Sequence, residues 1–288
     1  MICMTQRDSP TIRRRQLGSE LRRLREVSGL TGPQVAGLME WDPGKVYRLE
    51  GGKQGIKPKE LRELLRHFGV DKPEQVDEYV AMARAGKQPG WWSTYGPLPK
   101  TYETYIGIET SAIEIRTWEP ILINGLLQTP RYAEAMIRGT MPELSDGQVE
   151  KQVTLRVARQ ERLSATRMWV ILDQAVLYRQ VGDLPTMSEQ YESLLQASRR
   201  PELSLQVMPS SEGAHPGTRG QFTLLTFEDG QSVYSETPAG EVYPEGKYAL
   251  ACERAFEQLV ARALSPNQSR TLISEVASQS QSRWPGAS

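Results

Sequence analysis

Two helix-start signals lie eleven residues apart near the N-terminus, and this spacing constrains the fold more than any other feature of the sequence. Thr31 is followed three residues later by Gln34, which is the pattern of a capping box. Asp42 is followed by Pro43, and proline is favoured at the first position of a helix. The interval has room for one short helix and one tight turn. We therefore predict two short helices joined by a turn.

Helical patterns on both sides extend this pair into a series of five. Leucines recur at helical spacing over residues 14–28, and a glycine follows that segment. The helix that begins after Asp42 covers residues 43–50 and ends at two glycines. Prolines open a fourth and a fifth helix, the last of which ends near Ala85. These segments predict an all-α domain over residues 13–85, preceded by a mobile arm over residues 1–12.

The order of helices predicts a helix-turn-helix motif, in which the helix over residues 43–50 lies in the major groove of DNA. Val46 and Leu49 are spaced to face the core, so Lys45, Tyr47 and Arg48 lie on the opposite side. The two cations have donors for phosphates or for guanine, and the tyrosine suits a phosphate, a sugar or a thymine methyl group. The alternative is that the cations are ordinary solvated charges and that the tyrosine is half-buried in the core.

Further candidate DNA contacts flank that set. The backbone at Pro43 and Gly44 can approach DNA closely, and Lys53 follows the helix in a turn. Gln34 lies at the start of the preceding helix, and free N–H groups at the starts of that helix and of the fourth favour phosphates. Arg25 and Glu50 are interpreted differently, as a buried or half-buried structural ion pair between the first and third helices.

Charge is distributed unevenly, although the net charge is zero. Residues 1–90 contain 17 Lys and Arg against 12 Asp and Glu, and residues 91–288 contain 18 against 23. A basic N-terminal part on an acidic remainder is compatible with phosphate binding, although fluctuations of a few charges are common on any surface.

The sequence changes character after residue 85. Residues 86–99 are rich in proline and glycine and predict a linker. Beyond them, short β-forming segments such as Leu203–Met208 alternate with helical ones, which predicts an α/β or α+β domain with a mixed sheet over residues 100–273. The Ser- and Gln-rich end, residues 274–288, is predicted to be disordered. The fold class is therefore a multidomain chain.

The N-terminal residues resemble a known family. The run from Leu17 to Glu26, the Leu-Thr at residues 30–31, the Val35-Ala36 pair and the ending Glu50-Gly51-Gly52 look like the Xre, or phage-repressor-type, helix-turn-helix proteins. This resemblance implies a five-helix lambda-repressor-like domain and binding to double-stranded DNA. The sequence departs from the family at Pro43 and Gly44, where members commonly place base-contacting side chains.

The remainder resembles the C-terminal domain of a group of actinobacterial regulators described as antitoxin-like or WhiJ-like. The similar segments begin at Ile123, Arg156, Trp169, Val207 and Gly220. The resemblance implies a sensing or dimerising domain, and a small partner protein encoded nearby. Asn124 stands where the group usually has proline.

Motifs for other chemistry are absent from the sequence. No catalytic, dinucleotide, phosphate-loop or metal-ligand pattern occurs, so we expect no enzyme activity, no cofactor and no metal. No apolar run is long enough for a membrane helix, and two widely separated cysteines indicate a reducing compartment, so we expect a cytoplasmic protein. The function predicted is a homodimeric transcriptional regulator. The alternative is an antitoxin-like interaction protein that neutralises a small partner and binds DNA for autoregulation.

Overall fold

The computed structural model describes residues 9–228, 230–237, 240–242 and 247–283. The chain divides into two compact units, Met1–Ser111 and Ala112–Ser288. The first unit is helical, and the second combines helices with a mixed sheet, so the predicted fold class is confirmed.

The N-terminal unit contains the five predicted helices in the predicted order, followed by one more. The apolar faces of the five predicted helices meet in a single core that includes Leu21, Val35, Val46, Leu61 and Leu65. Two helix starts agree with the sequence patterns. Thr31 forms a capping box with Gln34, and Pro43 is the first residue of the third helix. The helices are α1 (Pro10–Val27), α2 (Gly32–Leu38), α3 (Pro43–Glu50), α4 (Pro58–His67), α5 (Pro73–Ala85) and α6 (Lys100–Thr110).

The prediction of a mobile arm is wrong for residues 9–12. Ser9 is the N-cap of α1 and its hydroxyl oxygen accepts a hydrogen bond from the backbone N–H of Ile12. The same hydroxyl donates to the backbone oxygen of Gly107 in α6, and Thr11 is buried. The Ser9-Pro10 sequence is itself a helix-start signal, and α6 supplies the packing partner that the local pattern could not reveal. The rest of the predicted arm, residues 1–8, lies outside the described residues.

The predicted linker over residues 86–99 contains ordered structure. Residues 91–95 form a 3-10 helix, and Trp92 is buried. A side-chain carbon at Gly107 would lie 2.9 Å from the Trp92 ring, so α6 packs closely on this segment. Because α6 also contacts α1, the boundary between the units lies between Ser111 and Ala112 rather than within residues 86–99.

The second unit is built on a sheet with the strand order β3-β2-β1-β4-β5-β6. The first three strands run parallel, and the remaining pairings are antiparallel. Parallel neighbours need long crossovers, which the intervening helices provide. The strands are β1 (Glu114–Glu119), β2 (Arg167–Asp173), β3 (Leu203–Met208), β4 (Phe222–Phe227), β5 (Gly230–Thr237) and β6 (Gly240–Val242).

Helices and turns cover this sheet. Trp118 of β1 packs with Phe256 and Leu259 of the long helix that follows β6. Side chains alternate along a strand, so Thr117 and Glu119 face the opposite side of the sheet. The helices of the described part of this unit are α7 (Pro130–Thr140), α8 (Asp146–Arg162), α9 (Gln174–Tyr178), α10 (Leu184–Ala197), α11 (Lys247–Arg262) and α12 (Pro266–Arg283).

The prediction of a disordered tail is wrong for residues 274–283, which belong to α12. Val276 and Ser280 are buried, and α12 contacts both α10 and β3. The buried hydroxyl of Ser269 accepts a hydrogen bond from the Val207 backbone N–H at 2.9 Å. The helix therefore covers an edge strand that would otherwise expose unpaired backbone groups. Serine and glutamine dominate the composition, but the few apolar positions decide the packing. Residues 284–288 lie outside the described part.

Candidate nucleic-acid interface

Helix α3 is held in the N-terminal unit by its two apolar side chains. Val46 and Leu49 are only 3% and 4% exposed, respectively. Gly18 of α1 allows a close approach at the end of α3, because a side-chain carbon there would lie 2.5 Å from the Leu49 backbone oxygen. The buried face of α3 is therefore set by close contact with α1, and the other face is exposed. Gly18 was not among the predicted site residues.

Arg25 and Glu50 form a two-pronged ion pair between α1 and the end of α3. Arg25 Nε lies 2.6 Å from Glu50 Oε1, and Arg25 Nη2 lies 3.2 Å from Glu50 Oε2. Arg25 also donates to the Leu30 backbone oxygen at 2.9 Å. The two side chains are 13% and 9% exposed. The hydrogen bond to Glu50 raises the pKa of Arg25, and burial opposes that shift.

We expect Arg25→Ala to lower the free energy of unfolding by about 3 kcal/mol, because it leaves the buried Glu50 carboxylate without its partner. Denaturant unfolding measures the change. Arg22→Ala is the matched control, because the Arg22–Glu26 pair is 64% and 55% exposed and its loss should have little effect. Equal effects of the two substitutions would contradict a structural role for the Arg25–Glu50 pair.

Lys45 does not lie free on the exposed face of α3. Its ammonium group is 2.7 Å from Glu60 Oε1 in α4 and 3.8 Å from the ring centroid of Trp41. Its side chain is only 17% exposed. The hydrogen bond from Lys45 lowers the pKa of Glu60. Lys45 therefore lies against α4, where a carboxylate fifteen residues away neutralises it, and its contact with DNA stays a prediction.

Arg48 and Tyr47 remain exposed, as the sequence analysis expected. The side chain of Arg48 is 50% exposed, and Tyr47 is 59% exposed, so Tyr47 is not a core residue. The Tyr47 ring lies beside the first turn of α2, where a side-chain carbon at Gly32 would be 3.1 Å from its hydroxyl oxygen. The exposed face of α3 thus presents one guanidinium group and one phenol.

Fewer backbone N–H groups than expected are available at the starts of α2 and α4. Gln34 is exposed, but its amide oxygen accepts from the backbone N–H of Thr31 at 2.8 Å. The Glu60 carboxylate accepts from the backbone N–H of Lys57 at 3.3 Å. These side chains occupy some of the N–H groups that we expected to be available to phosphates.

Exposed cations continue along the chain beyond α3. Lys53 is exposed in the turn after α3, as expected for a phosphate contact. Lys57 and Lys59 are also exposed, at the start of α4, and were not among the predicted contacts. Their alternation with glycine and proline over residues 51–59 is the signal that could have identified them. Pro43 is exposed and Gly44 is half-buried at the first turn of α3.

Two protein-family models match successive parts of the chain. Residues 16–78 match a family model described as a helix-turn-helix domain. Residues 102–275, more than half of the chain, match the model of the domain of unknown function DUF5753. The chain belongs to the DUF5753 family. No curated protein and no solved structure matches it significantly.

The DUF5753 match begins inside α6, which packs within the N-terminal unit, and it ends inside α12. The helix-turn-helix match spans most of α1 to α5 and supports a DNA-binding regulator. Among the described residues, no helix has both the length and the apolar character needed to cross a bilayer. No group of three or more potential metal ligands occurs in that part of the chain either.

The two histidines of this DUF5753 protein lie in different settings. His67 is exposed in the last turn of α4. His215 is 8% exposed and packs edge-on against Trp118, with 5.2 Å between the ring centroids. Trp118 Nε1 donates to the Gly217 backbone oxygen at 2.8 Å in the same loop. The loop around His215 is therefore packed into the core beside β1.

A buried carboxylate lies at the end of β1, and no motif had identified it. Glu119 is 3% exposed and accepts hydrogen bonds from Asn124 at 2.6 Å, Thr117 at 2.8 Å and Gln221 at 2.8 Å. Burial raises its pKa to about 7, and the three hydrogen bonds oppose that shift. The charge of Glu236 raises the pKa further. Asn124 thus donates a hydrogen bond to this carboxylate. The WhiJ-like regulators that the chain resembles usually have proline at this position.

Proposed function

We propose that this protein is a sequence-specific DNA-binding transcriptional regulator that reads the major groove with α3. The observation that carries the proposal is the division of α3 into two faces. Val46 and Leu49 anchor one face in the core, and Tyr47 and Arg48 extend from the other. A helix anchored in this way presents its polar side chains to base edges when it enters the groove.

The cations near α3 support the same function. Lys53, Lys57 and Lys59 lie exposed in the segment that follows α3. Contacts to phosphates position a protein on the duplex, and contacts to bases provide the specificity. The segment over residues 53–59 suits the first role, and the exposed side chains of α3 suit the second.

A homodimer is part of the proposal. One helix-turn-helix module buries only about 600–1,000 Å² on DNA, so tight and specific binding normally needs two copies on neighbouring half-sites. The DUF5753 unit contains the larger part of the chain and is the proposed site of dimerisation and of control by a small protein partner or ligand. The resemblance to Xre and WhiJ-like regulators supports this assignment, as well as a cytoplasmic protein without catalytic activity.

The second candidate function is that of an antitoxin-like interaction protein. The observation that favours it is the likeness of the segments from Ile123 onward to antitoxin-like regulators, which are often encoded beside a small partner. DNA binding would then serve autoregulation. Co-purification with the product of a small neighbouring gene supports this alternative, whereas unchanged DNA binding and no complex with that product would contradict it.

Selection of binding sites from random duplexes by the full chain tests the proposed function directly. We expect one sequence to be enriched, with affinity that falls steeply as salt rises because binding releases counterions from the phosphates. Failure to retain any duplex at low ionic strength would contradict DNA binding by this protein.

Lys53→Ala should weaken binding equally on specific and random duplexes and reduce the salt slope by about 1, because one phosphate contact is lost. Fluorescence anisotropy over a salt series measures both quantities. Lys72→Ala is the matched control, since Lys72 is also exposed but lies at the start of α5. Equal slopes for Lys53→Ala and the parent protein would contradict the phosphate contact.

A further inference from the structure

The N-terminal end of α3 carries a side-chain arrangement that its sequence does not suggest. Base contacts concentrate at this end of a recognition helix, yet Pro43 and Gly44 offer no polar side chain there. In the structure, Arg48 extends back by one turn, and a side-chain carbon at Gly44 would lie 2.7 Å from its Nη1 atom. The guanidinium group therefore lies over Gly44. A donor four residues further along the helix than Gly44 is thus brought to the end of α3 where bases are read.

Two neighbours orient this guanidinium group. Arg48 Nε donates to Gln54 Oε1 at 3.0 Å, and Arg48 Nη2 lies 3.5 Å from Asp42 Oδ1. The hydrogen bond to Gln54 uses the inner nitrogen, and the ion pair with Asp42 involves Nη2. Each terminal nitrogen has two hydrogens, so both can also donate to an outside acceptor. Two adjacent donors on a planar fork match two adjacent acceptors, and in the major groove only guanine displays such a pair, N7 and O6.

Asp42 adds an acceptor beside those donors. It occupies the N-cap position of α3 but makes no side-chain capping hydrogen bond, although aspartate is among the best capping residues. Its side chain is 71% exposed and lies next to the Arg48 guanidinium group. Cytosine presents an amino donor beside the guanine oxygen, and a carboxylate is a suitable acceptor for it. The same carboxylate repels phosphates, so it opposes nonspecific binding.

We propose that Arg48 and Asp42 together read one G·C base pair, with the terminal nitrogens of Arg48 donating to guanine and the carboxylate of Asp42 accepting from the cytosine amino group. Gly44 and Gln54 are positioning residues: the first leaves space for the guanidinium group and the second orients it. This inference rests on the proposed function and names the base pair that α3 requires.

Arg48→Lys tests the donor half of the proposal. Lysine keeps the charge but lacks the planar fork, so discrimination for one G·C pair of the selected site should fall by about 10- to 100-fold. Binding to random duplexes should change much less. Arg62→Lys is the matched control, because Arg62 pairs with Asp77 at 3.0 Å with exposures of 44% and 72% but lies on α4. The control should keep the parent's base preference.

Asp42→Ala gives the more diagnostic result, because two effects of opposite direction are expected. Preference for the G·C pair should fall, while affinity for random duplexes should rise, since one negative charge near the phosphates is removed. A merely structural role of Asp42 would lower both quantities. Gly44→Ala should lower the G·C preference without lowering stability, because alanine displaces Arg48 but is the better helix former.

The outcomes separate this inference from the proposed function. If the parent protein selects a site but Arg48→Lys and Asp42→Ala leave its base preferences unchanged, the base-reading pair is wrong and DNA binding stands. If the base pair whose preference changes in these variants is A·T, the assignment of G·C is likewise overturned. If the parent retains no duplex at low ionic strength, the proposed function fails and the inference fails with it.

Discussion

Replacing Gly18 by alanine should destabilise the N-terminal unit by about 3 kcal/mol and weaken DNA binding at the same time. The added carbon would lie 2.5 Å from the Leu49 backbone oxygen and 2.6 Å from that of Glu50. Both atoms belong to the backbone, so no side-chain rotation relieves the contact. Helix α3 must therefore move away from α1, and the exposed face of α3 moves with it.

Gly37→Ala is the matched control for that substitution. Gly37 is also a helical glycine of the N-terminal unit, but no atom lies within 4 Å of the carbon that would be added. Alanine is favoured over glycine in helices by about 1 kcal/mol, so this variant should be as stable as the parent or more stable. Denaturant unfolding measures the stability of both variants, and hydrogen exchange of the α1 and α3 amides reports on the contact between the two helices. Equal stabilities of the two variants would contradict the close contact between α1 and α3.

Replacing Glu119 by glutamine should raise the free energy of unfolding above pH 7 by about 3 kcal/mol. It should also remove the contribution of this residue to the pH dependence of that free energy. Burial raises the pKa of Glu119 from its ordinary 4.5 to about 7, so the folded state holds this proton more tightly than the unfolded state does. The stabilising contribution is complete below pH 4.5 and is lost as the pH rises through 7. A rise from 4.5 to about 7 corresponds to about 3 kcal/mol.

Glutamine fits the same hydrogen bonds without a charge. Its oxygen can accept from Asn124 and Thr117, and its amide group can donate to Gln221 after that amide turns over. Unfolding free energies between pH 4 and pH 8 measure the effect, and the variant should match the parent at the acid end. Glu236→Gln is the control, because Glu236 is exposed and only adds to the shift. A parent protein whose stability rises from pH 5 to pH 7 as much as the variant's would contradict a raised pKa of Glu119.

Local sequence patterns were sufficient to predict the helical domain. The capping pair Thr31 and Gln34 and the proline starts of α3, α4 and α5 are short-range signals, and the structure contains helices at each of them. The strand over Leu203–Met208 was predicted with its observed bounds for the same reason. Predictions near the chain ends were wrong where polar composition outweighed a few apolar positions, as in α12.

The candidate interface could be predicted only as a face of α3 and not as a set of side-chain directions. Lys45 and Arg48 look equivalent in the sequence, since both are cations on the same side of one helix. The structure separates them because Glu60 binds the first, while Gly44 leaves space for the second to reach Asp42. Contacts between separate helices decide these directions, and helical periodicity contains no information about them.

The sequence by itself determined the five helices α1 to α5 and which face of each is apolar, because those properties depend on neighbours within a few residues. Only the tertiary structure decided that α6 packs with α1, that Gly18 contacts the end of α3, and that Glu119 is buried among three polar side chains. Each of these features depends on residues far apart in the chain. Their energies arise from packing and desolvation, which exist only once the chain has folded.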